Sequence, residues 1–576
     1  MAFLSRVGNG WIARRIAPGF DAEYYLAANP DVAASGRDPL LHFIRYGRAE
    51  GRPPGPAKAE TDPVAEAFDA AFYLRSYPDV ADAGVEPLAH FLSHGWREGR
   101  DPNPRFSTRF YLLANPDVAG AGENPFRHYL ETGRAEGRLP RPPGGDRAAF
   151  LANMRSLEEV VDSTPVPAVP SLPVEAVSEV IRARLRAGSG QLVLSIGHDD
   201  YRGVSAGVQL CIAHEARQAT ARGIAYLNLH PLRPLPCFAR PQEDLGLRLV
   251  LNGTEIGSGS LSQVSELIAG LVRNCAALDT VIHSLLGHSP EGIARLIRRV
   301  SGRSCLFWLH DFLSICPGYA LLRNDLAFCG APDSSASACL VCRYGAERAS
   351  HRRRIARFFD EVIVRVAAPS DFARDLWLAR GNLPDAGLEV VPLVHLRRGA
   401  TSGARAAGCE VRIGYLGAAT IQKGWPEFRD LAAEFARDGR YSFHQFGPET
   451  AEPGIRSHRV DVARGGHDGM VAALTREGID LVLNWPAGPE TFSFTAHEVL
   501  AAGAGLITNP WSGNVAALVG ATGRGLVLED VAGLRRLFAG GDLSDAATAA
   551  RRHASRRPRF EMGDLSLPLL FGGATA

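Results

Sequence analysis

Two glutamates, Glu490 and Glu498, bracket seven residues in the stretch "PETFSFTAHE". An ionised carboxylate accepts hydrogen bonds from vicinal sugar hydroxyls, and a pair of carboxyl groups also suits general acid–base work. On one continuous helix, positions eight apart would diverge by about 80°. "PETFSFT" reads instead as a loop, which lets both side chains converge on one cleft. The competing reading is local: "TAHE" has the pattern of a capping box, with Thr495 as N-cap and Glu498 at the third helical position. Upstream, "GYLGAATIQKGW" ends a strand at Leu416, passes Gly417 and opens a helix at Lys423-Gly424. Free helix N–H groups, the positive end of the helix dipole and a lysine could together hold a diphosphate. The spacing is not that of a Walker A loop, and a lone lysine is more often simply exposed.

Three further groups carry chemistry. His283 in "VIHSLLGH" and His310-Asp311 in "FWLHDF" fall at strand ends, the edge where open α/β sheets bind ligands. For each histidine, a satisfied structural role competes on even terms. "YRGVSAGVQ", with Gly203, Ser205 and Gly207, is a glycine-containing loop opening a helix. Cys339 and Cys342 form a C-x2-C, with Cys316 and Cys329 upstream. Four thiols in a loop-rich insertion could close a structural zinc site. The upstream spacing is irregular, so free or redox-active thiols stand as the alternative. A catalytic metal is not expected.

The elements that position these residues alternate between strand and helix. "LVLSIG", "IAYLNL", "DTVIHSL", "CLFWLHDF", "EVIVRVAAPS" and "LEVVPL" form one series of strands, and "VRIGYLG", "YSFHQFG", "IDLVLNW" and "LIT" a second. Such alternation argues for parallel sheets. The expected class is α/β: two doubly wound, Rossmann-like halves facing a cleft, over residues 191–398 (with the cysteine-rich insertion 316–342) and 399–545. Residues 546–576 read as a C-terminal tail.

Before these halves, three units repeat, beginning at Phe20, Phe68 and Phe106. Each reads as a short helix, a Pro-Asp step, a turn and a helix of the form "PLxHFxxxG". Pro39, Pro87 and Pro125 suit first helical positions, and Gly47, Gly95 and Gly133 suit helix ends. His42, His90 and His128 recur beside aromatics, which favours packing or hydrogen bonding over ligation. A repeated unit without clustered acids or cysteines reads as an interaction module, over residues 1–145. Residues 146–190 are a Pro-rich linker with one helix at "VEAVSEVIRARLRAG".

Over 576 residues, 63 Lys and Arg balance 62 Asp and Glu, so nothing favours nucleic acid by bulk charge. The basic run "HRRRIAR" (His351–Arg357) reads as a solvated helix face, or at most a weak contact with lipid head groups. No stretch has the length of a membrane span, no signal peptide is evident, and nine cysteines fit reduced thiols in a cytoplasmic protein.

Lys423-Gly424 after a glycine-bearing strand end, the E-x7-E of "ETFSFTAHE" and the following "AAGAGLITNPWSGN" resemble the donor half of the GT-B retaining glycosyltransferases of glycosyltransferase family 4. The likeness spans roughly residues 190–545. The repeats resemble units attached to bacterial polysaccharide glycosyltransferases. The resemblance implies that Lys423 holds the nucleotide diphosphate, Glu498 the ribose hydroxyls and Glu490 the donor sugar, with Gly417, Gly424, Gly513 and Asn514 shaping the donor loops. It implies that His283, His310 and Asp311 line the reaction side, and Gly203, Ser205 and Gly207 the acceptor side. Retaining members have no agreed side-chain nucleophile, so no covalent intermediate is expected. The implied activity is metal-free, hexosyltransferase-type transfer from a nucleotide-sugar to a hydroxyl, in surface polysaccharide or glycan synthesis, at or near the inner face of the membrane. A protein partner on the repeats is also implied. The chain departs from the family's pattern in two places. "GAATIQ" lacks the usual arginine before the lysine, and "SGNVAAL" lacks a common acidic residue. A non-catalytic scaffold or glycan-binding protein is therefore the alternative, with an epimerase or phosphorylase on the same scaffold a weaker one.

Overall fold

A computed structural model describes residues 20–48, 50–53, 62–141, 145–203, 206–241, 243–301, 304–399, 410–450, 452–541, 543–553 and 557–571. The chain divides into two compact units, Met1–Pro142 and Pro143–Ala576.

In the first unit each repeat begins with a helix: Ala22–Ala28, Ala70–Ser76 or Thr108–Ala114. A second short helix follows, and a third starts with its proline at the first position, at Pro39–His42, Pro87–His90 or Pro125–His128. Each third helix widens into a π-helical turn that ends at Gly47, Gly95 or Gly133. Glycine is needed there because a Cβ would collide with the phenol oxygen of Tyr25, Tyr73 or Tyr111. That same oxygen meets His42, His90 or His128 Nδ1 at 3.2, 3.0 and 2.9 Å. The recurring histidines are thus hydrogen-bonding partners of buried tyrosines, as their aromatic surroundings suggested.

The second unit is α/β with two sheets. The first comprises β1 (Gln191–Ile196), β2 (Ala225–Pro231), β3 (Gly246–Leu251), β4 (Thr254–Ser260), β5 (Ala277–Ile282) and β6 (Ser304–Trp308). A small hairpin, β7 (Leu322–Arg323) and β8 (Ala327–Phe328), lies in the cysteine insertion, and β9 (Ile363–Ala368) and β10 (Leu388–Val390) complete the sheet. Its order is β10-β9-β6-β5-β1-β2-β3-β4, with every pairing parallel except β2–β3 and β3–β4. β3 and β4 form a hairpin turning at Asn252-Gly253, both at positive φ.

After β11 (Val394–Arg397), the second sheet comprises β12 (Val411–Leu416), β13 (Tyr441–Gly447), β14 (Ile455–Arg459), β15 (Leu481–Leu483), β16 (Gly505–Thr508) and β17 (Gly525–Val527). Its order is β14-β13-β12-β15-β16-β17, all parallel. Taken in chain order this is 3-2-1-4-5-6, the doubly wound arrangement whose ligand crevice opens where the order reverses. This is the two-sheet GT-B layout that the resemblance implied.

The chain then turns back on itself. β18 (Arg559–Met562) pairs antiparallel with β11. Ser566 beyond it reaches the first sheet, where its Oγ accepts from Trp308 Nε1 at 2.9 Å and its N–H donates to Glu215 at 3.1 Å.

The basic run is partly taken up by the fold. His351 is buried against the Leu313 carbonyl, Arg354 pairs with Glu291, and Arg352 caps the carbonyls of Arg380 and Gly381. Arg353 and Arg357 keep the solvated face expected there, Arg357 paired with Glu361. Among the described residues no helix is long and apolar enough to cross a membrane, and the eight described cysteines form no disulfide.

Candidate functional site

The reversal in the second sheet falls between β12 and β15. Gly417 follows β12, and the loop from Asn484 to Glu490 follows β15, so both candidate donor loops open at this crevice. Lys423 ends a 3-10 turn, Ile421–Lys423, and Gly424, in the left-handed region, is the N-cap of the helix Trp425–Phe435. Lys423 Nζ lies 2.5 Å from Glu490 Oε1, with the lysine side chain 55% exposed and the glutamate 15%. Lys423 and Glu490, read separately in the sequence, thus meet as an ion pair at the crevice mouth.

Glu490 is fixed through its backbone. Its N–H donates to Ser512 O at 3.2 Å, and its carbonyl accepts from Asn514 N at 3.0 Å. Gly513 between them sits at φ 69°, ψ −122° and caps the helix Asn514–Thr522. A Cβ on Gly513 would stand 2.7 and 2.9 Å from the Glu490 backbone, so only glycine lets the two loops run side by side. Two helix N-termini without a side-chain cap, at Trp425 and Asn514, thus flank the Lys423–Glu490 pair. Their dipole ends favour a bound anion.

Glu498 lies elsewhere than the capping-box reading placed it. The helix starts at Phe494, with Ser493 as its N-cap accepting from Ala496 N, so Thr495 is inside the helix and Glu498 in its second turn. Ser493 outcompetes Thr495 because its hydroxyl reaches a free helix N–H while its own backbone stays extended. Glu498 is instead 3% exposed and pairs with His467, Oε1 to Nδ1 2.7 Å. The imidazole of His467 stacks between Phe494 and Phe560, at 4.8 and 4.6 Å between ring centres. Sequence reasoning missed His467. The signal was "RGGH", where Gly466 at φ 63° kinks the helix Val462–Glu477 just before it.

The first sheet reverses between β1 and β5, and His283 follows β5 there. His283 is fully buried. Its Nδ1 meets His310 Nε2 at 3.1 Å, and its Nε2 lies 3.5 Å from Glu215 and 3.4 Å from the Tyr226 hydroxyl. His310 stacks on Trp308, ring centres 4.9 Å apart. Burial, with His283 and His198 nearby, holds the His310 imidazole well below its usual pKa, so it is neutral at pH 7. Burial pushes the Asp311 carboxyl up to about 6, opposed by the N–H it accepts from Leu313.

These groups join the second sheet through the glutamate loop. Thr491, next to Glu490, donates to His310 O at 2.7 Å, and its own carbonyl accepts from Ser370 Oγ at 2.7 Å. A methyl on Gly207 would lie 3.5 Å from the Phe494 ring, so the first half's glycine loop also abuts this segment. Gly203 lies in the preceding turn; Ser205 falls outside the described residues. Gly417 donates to Phe446 O at 2.8 Å at the mouth of the second sheet.

Cys316, Cys329, Cys339 and Cys342 all line one cavity of about 20 Å³. A separate group, His444, His458 and Glu477, has ligand atoms within 4.8 Å of one another. Those atoms run as a chain, Ser442 Oγ to His444 to His458 to Glu477, at 3.2, 2.9 and 3.8 Å. Only the first two contacts are of hydrogen-bond length; Glu477 lies beyond it from His458.

No sequence-family profile and no curated protein matches the chain. Among solved structures, the chain is similar to HepE of Anabaena in complex with UDP-glucose, at 13% identity, 63% of this chain, 93% of that one and a TM-score of 0.39. It is similar to WaaG, a glycosyltransferase involved in lipopolysaccharide biosynthesis, at 12%, 66%, 100% and 0.38. Sucrose-phosphate synthase from Thermosynechococcus elongatus gives 12%, 63%, 94% and 0.37. Likenesses at this level leave the functional reading to the site's own geometry.

Proposed function

We propose that this chain is a retaining glycosyltransferase. It moves a sugar from a nucleotide-sugar to a hydroxyl of a bacterial surface polysaccharide or other glycan. The observation that carries the reading is the Lys423–Glu490 pair between two helix N-termini without side-chain caps at the reversal point of a 3-2-1-4-5-6 sheet. That is a place for a diphosphate beside a carboxylate able to grip sugar hydroxyls.

Lys423 and the helix ends would stabilise the departing diphosphate without a metal ion. Glu490 would leave the lysine and turn to the donor sugar. Glu498 would meet the ribose once His467 gives way, because the imidazole now covers it. His310, neutral and hydrogen-bonded to buried His283, and Asp311 would face the acceptor side, tied to Glu490 by the Thr491 hydroxyl. Positioning and electrostatics carry the reaction, and no side-chain nucleophile is assigned. The cytoplasmic setting and the repeats' contact with a protein or glycan belong to the same proposal.

One observation favours a second reading, a binding protein with a decayed site. Residues 417–422 offer no second cation, and Glu490 already neutralises Lys423. Incubation with UDP-, GDP-, ADP- and TDP-sugars, assayed for release of the nucleoside diphosphate, separates the two. Release with one donor, lost in Lys423→Ala and Glu490→Gln, is expected. Binding of a donor without release from the wild type would favour the decayed site.

A further inference from the structure

The four cysteines of the insertion leave two chemistries open, a bound metal or free thiols, and a neighbouring arginine bears on the choice. Arg348 lies on the helix Gly345–Glu361 and is 3% exposed. Its Nη1 lies 2.8 Å from Cys339 Sγ, and its Nε is buried with no partner. Among the described residues no carboxylate comes within ion-pair reach of it. A guanidinium stays charged at any pH a protein meets, and burying it without a counter-charge is costly. Neutral thiols supply no counter-charge, and neither would disulfides. A cluster of thiolates does.

The surroundings fit such a cluster. Cys316 follows the strand-end histidine segment, Cys329 follows β8, and Cys339 and Cys342 sit on one tight turn closed by Cys342 N to Cys339 O at 3.2 Å. Gly345 then packs so close to the Cys339 carbonyl that no side chain could stand there. The four sulfurs, drawn from three stretches of chain, share the cavity with Arg348.

We infer that Cys316, Cys329, Cys339 and Cys342 bind one structural zinc ion as a tetrathiolate, with Arg348 as its buried counter-cation. A closed ZnS4 centre has bonds near 2.3 Å, hence sulfurs about 3.8 Å apart. As placed here no three of the four come within 4.8 Å of one another, so loading contracts the cluster. The tetrathiolate carries two negative charges, and the guanidinium offsets one of them while donating to sulfur. The insertion also touches the crevice: Phe328 N donates to Ala487 O at 3.0 Å, and Gly488 packs against Leu322. Ala487 and Gly488 lead directly into Glu490, so the zinc braces the loop that carries it. The zinc assignment itself does not depend on the transferase reading.

The test is metal analysis of the full chain, purified without a metal-affinity tag from zinc-supplemented cells. One zinc per chain is expected, with cobalt substitution giving the visible absorption of tetrahedral thiolate coordination. Chelation should speed protease cleavage between residues 316 and 345. Cys339→Ser with Cys342→Ser should lose the metal. Arg348→Met should weaken zinc retention against a chromophoric chelator by roughly 10- to 100-fold while the fold persists, the usual effect of removing an outer-shell partner. Should the cysteine variant fail to fold, the cobalt spectrum and Arg348→Met still decide. A folded wild-type chain carrying no zinc above background, or an Arg348→Met chain that holds zinc as tightly as the wild type, would overturn the inference.

Discussion

Lys423 and Glu490 hold each other, and under the proposed function that pairing has a measurable consequence. A nucleoside diphosphate would compete with the Glu490 carboxylate for the ammonium. Because the lysine is more than half exposed, the competition is modest, and Glu490→Gln should tighten binding of the bare diphosphate about two- to five-fold while reducing sugar transfer. Calorimetry with the bare nucleotide and a transfer assay read the two effects separately. Asp311 gives a second residue-scale expectation. Its folded pKa, raised to about 6 by burial, lies above the ordinary carboxylate value, so protonation favours the fold. The stability it contributes is full below about pH 4 and lost as pH rises through 6. Asp311→Asn should therefore raise Tm at pH 8, by about 1–3 kcal/mol of stability, and leave it unchanged or lower at pH 4. Thermal melts across that range check the sign. At this scale the sequence revealed which residues carry charge but not what they face. Glu490 was legible as a loop carboxylate; the burial of Glu498 beneath His467 depends on a partner 31 positions away, brought in by a glycine kink.

At the scale of elements, the loops that hold Glu490 and the helix at Asn514 stand or fall on Gly513. Gly513→Ala forces a side chain into an unfavourable backbone region against the Glu490 peptide, and should cost about 2–3 kcal/mol and shift Glu490. Denaturant melts and a donor-binding assay would register both. Parallel strands in the core of the two sheets were legible because buried β-branched runs stand out, as in "LVLSIG" and "VRIGYLG". The β3–β4 hairpin was not picked out, although its Asn-Gly turn is a strong local signal. β11 and β18 were invisible for a different reason. They pair across more than 150 residues, and neither has a long apolar run of its own. The start of the helix at Phe494 was misplaced by two hydroxyl residues, Ser493 and Thr495, that offer equivalent capping chemistry.

At the scale of the whole molecule, the repeats and the α/β unit are separate compact units, each with its own core. Removing residues 1–142 should therefore leave the α/β unit folded and its nucleotide affinity within about two-fold, since a domain with its own core can fold alone. Loss of binding in that truncation would tie the repeats to the site. The repeats announced themselves by periodicity, and their glycines and histidines proved to serve one tyrosine each. What no local pattern announced is the return of the C-terminal segment, whose Ser566 anchors Glu215 and Trp308 beneath His283 and His310. The measurement that tests the central claim most directly is calorimetric binding of UDP, GDP and their sugar conjugates to the wild type, Lys423→Ala and Glu498→Ala. One nucleotide-sugar should bind the wild type, with affinity lost in Lys423→Ala and reduced in Glu498→Ala. A folded wild-type chain that binds none of them would contradict the account.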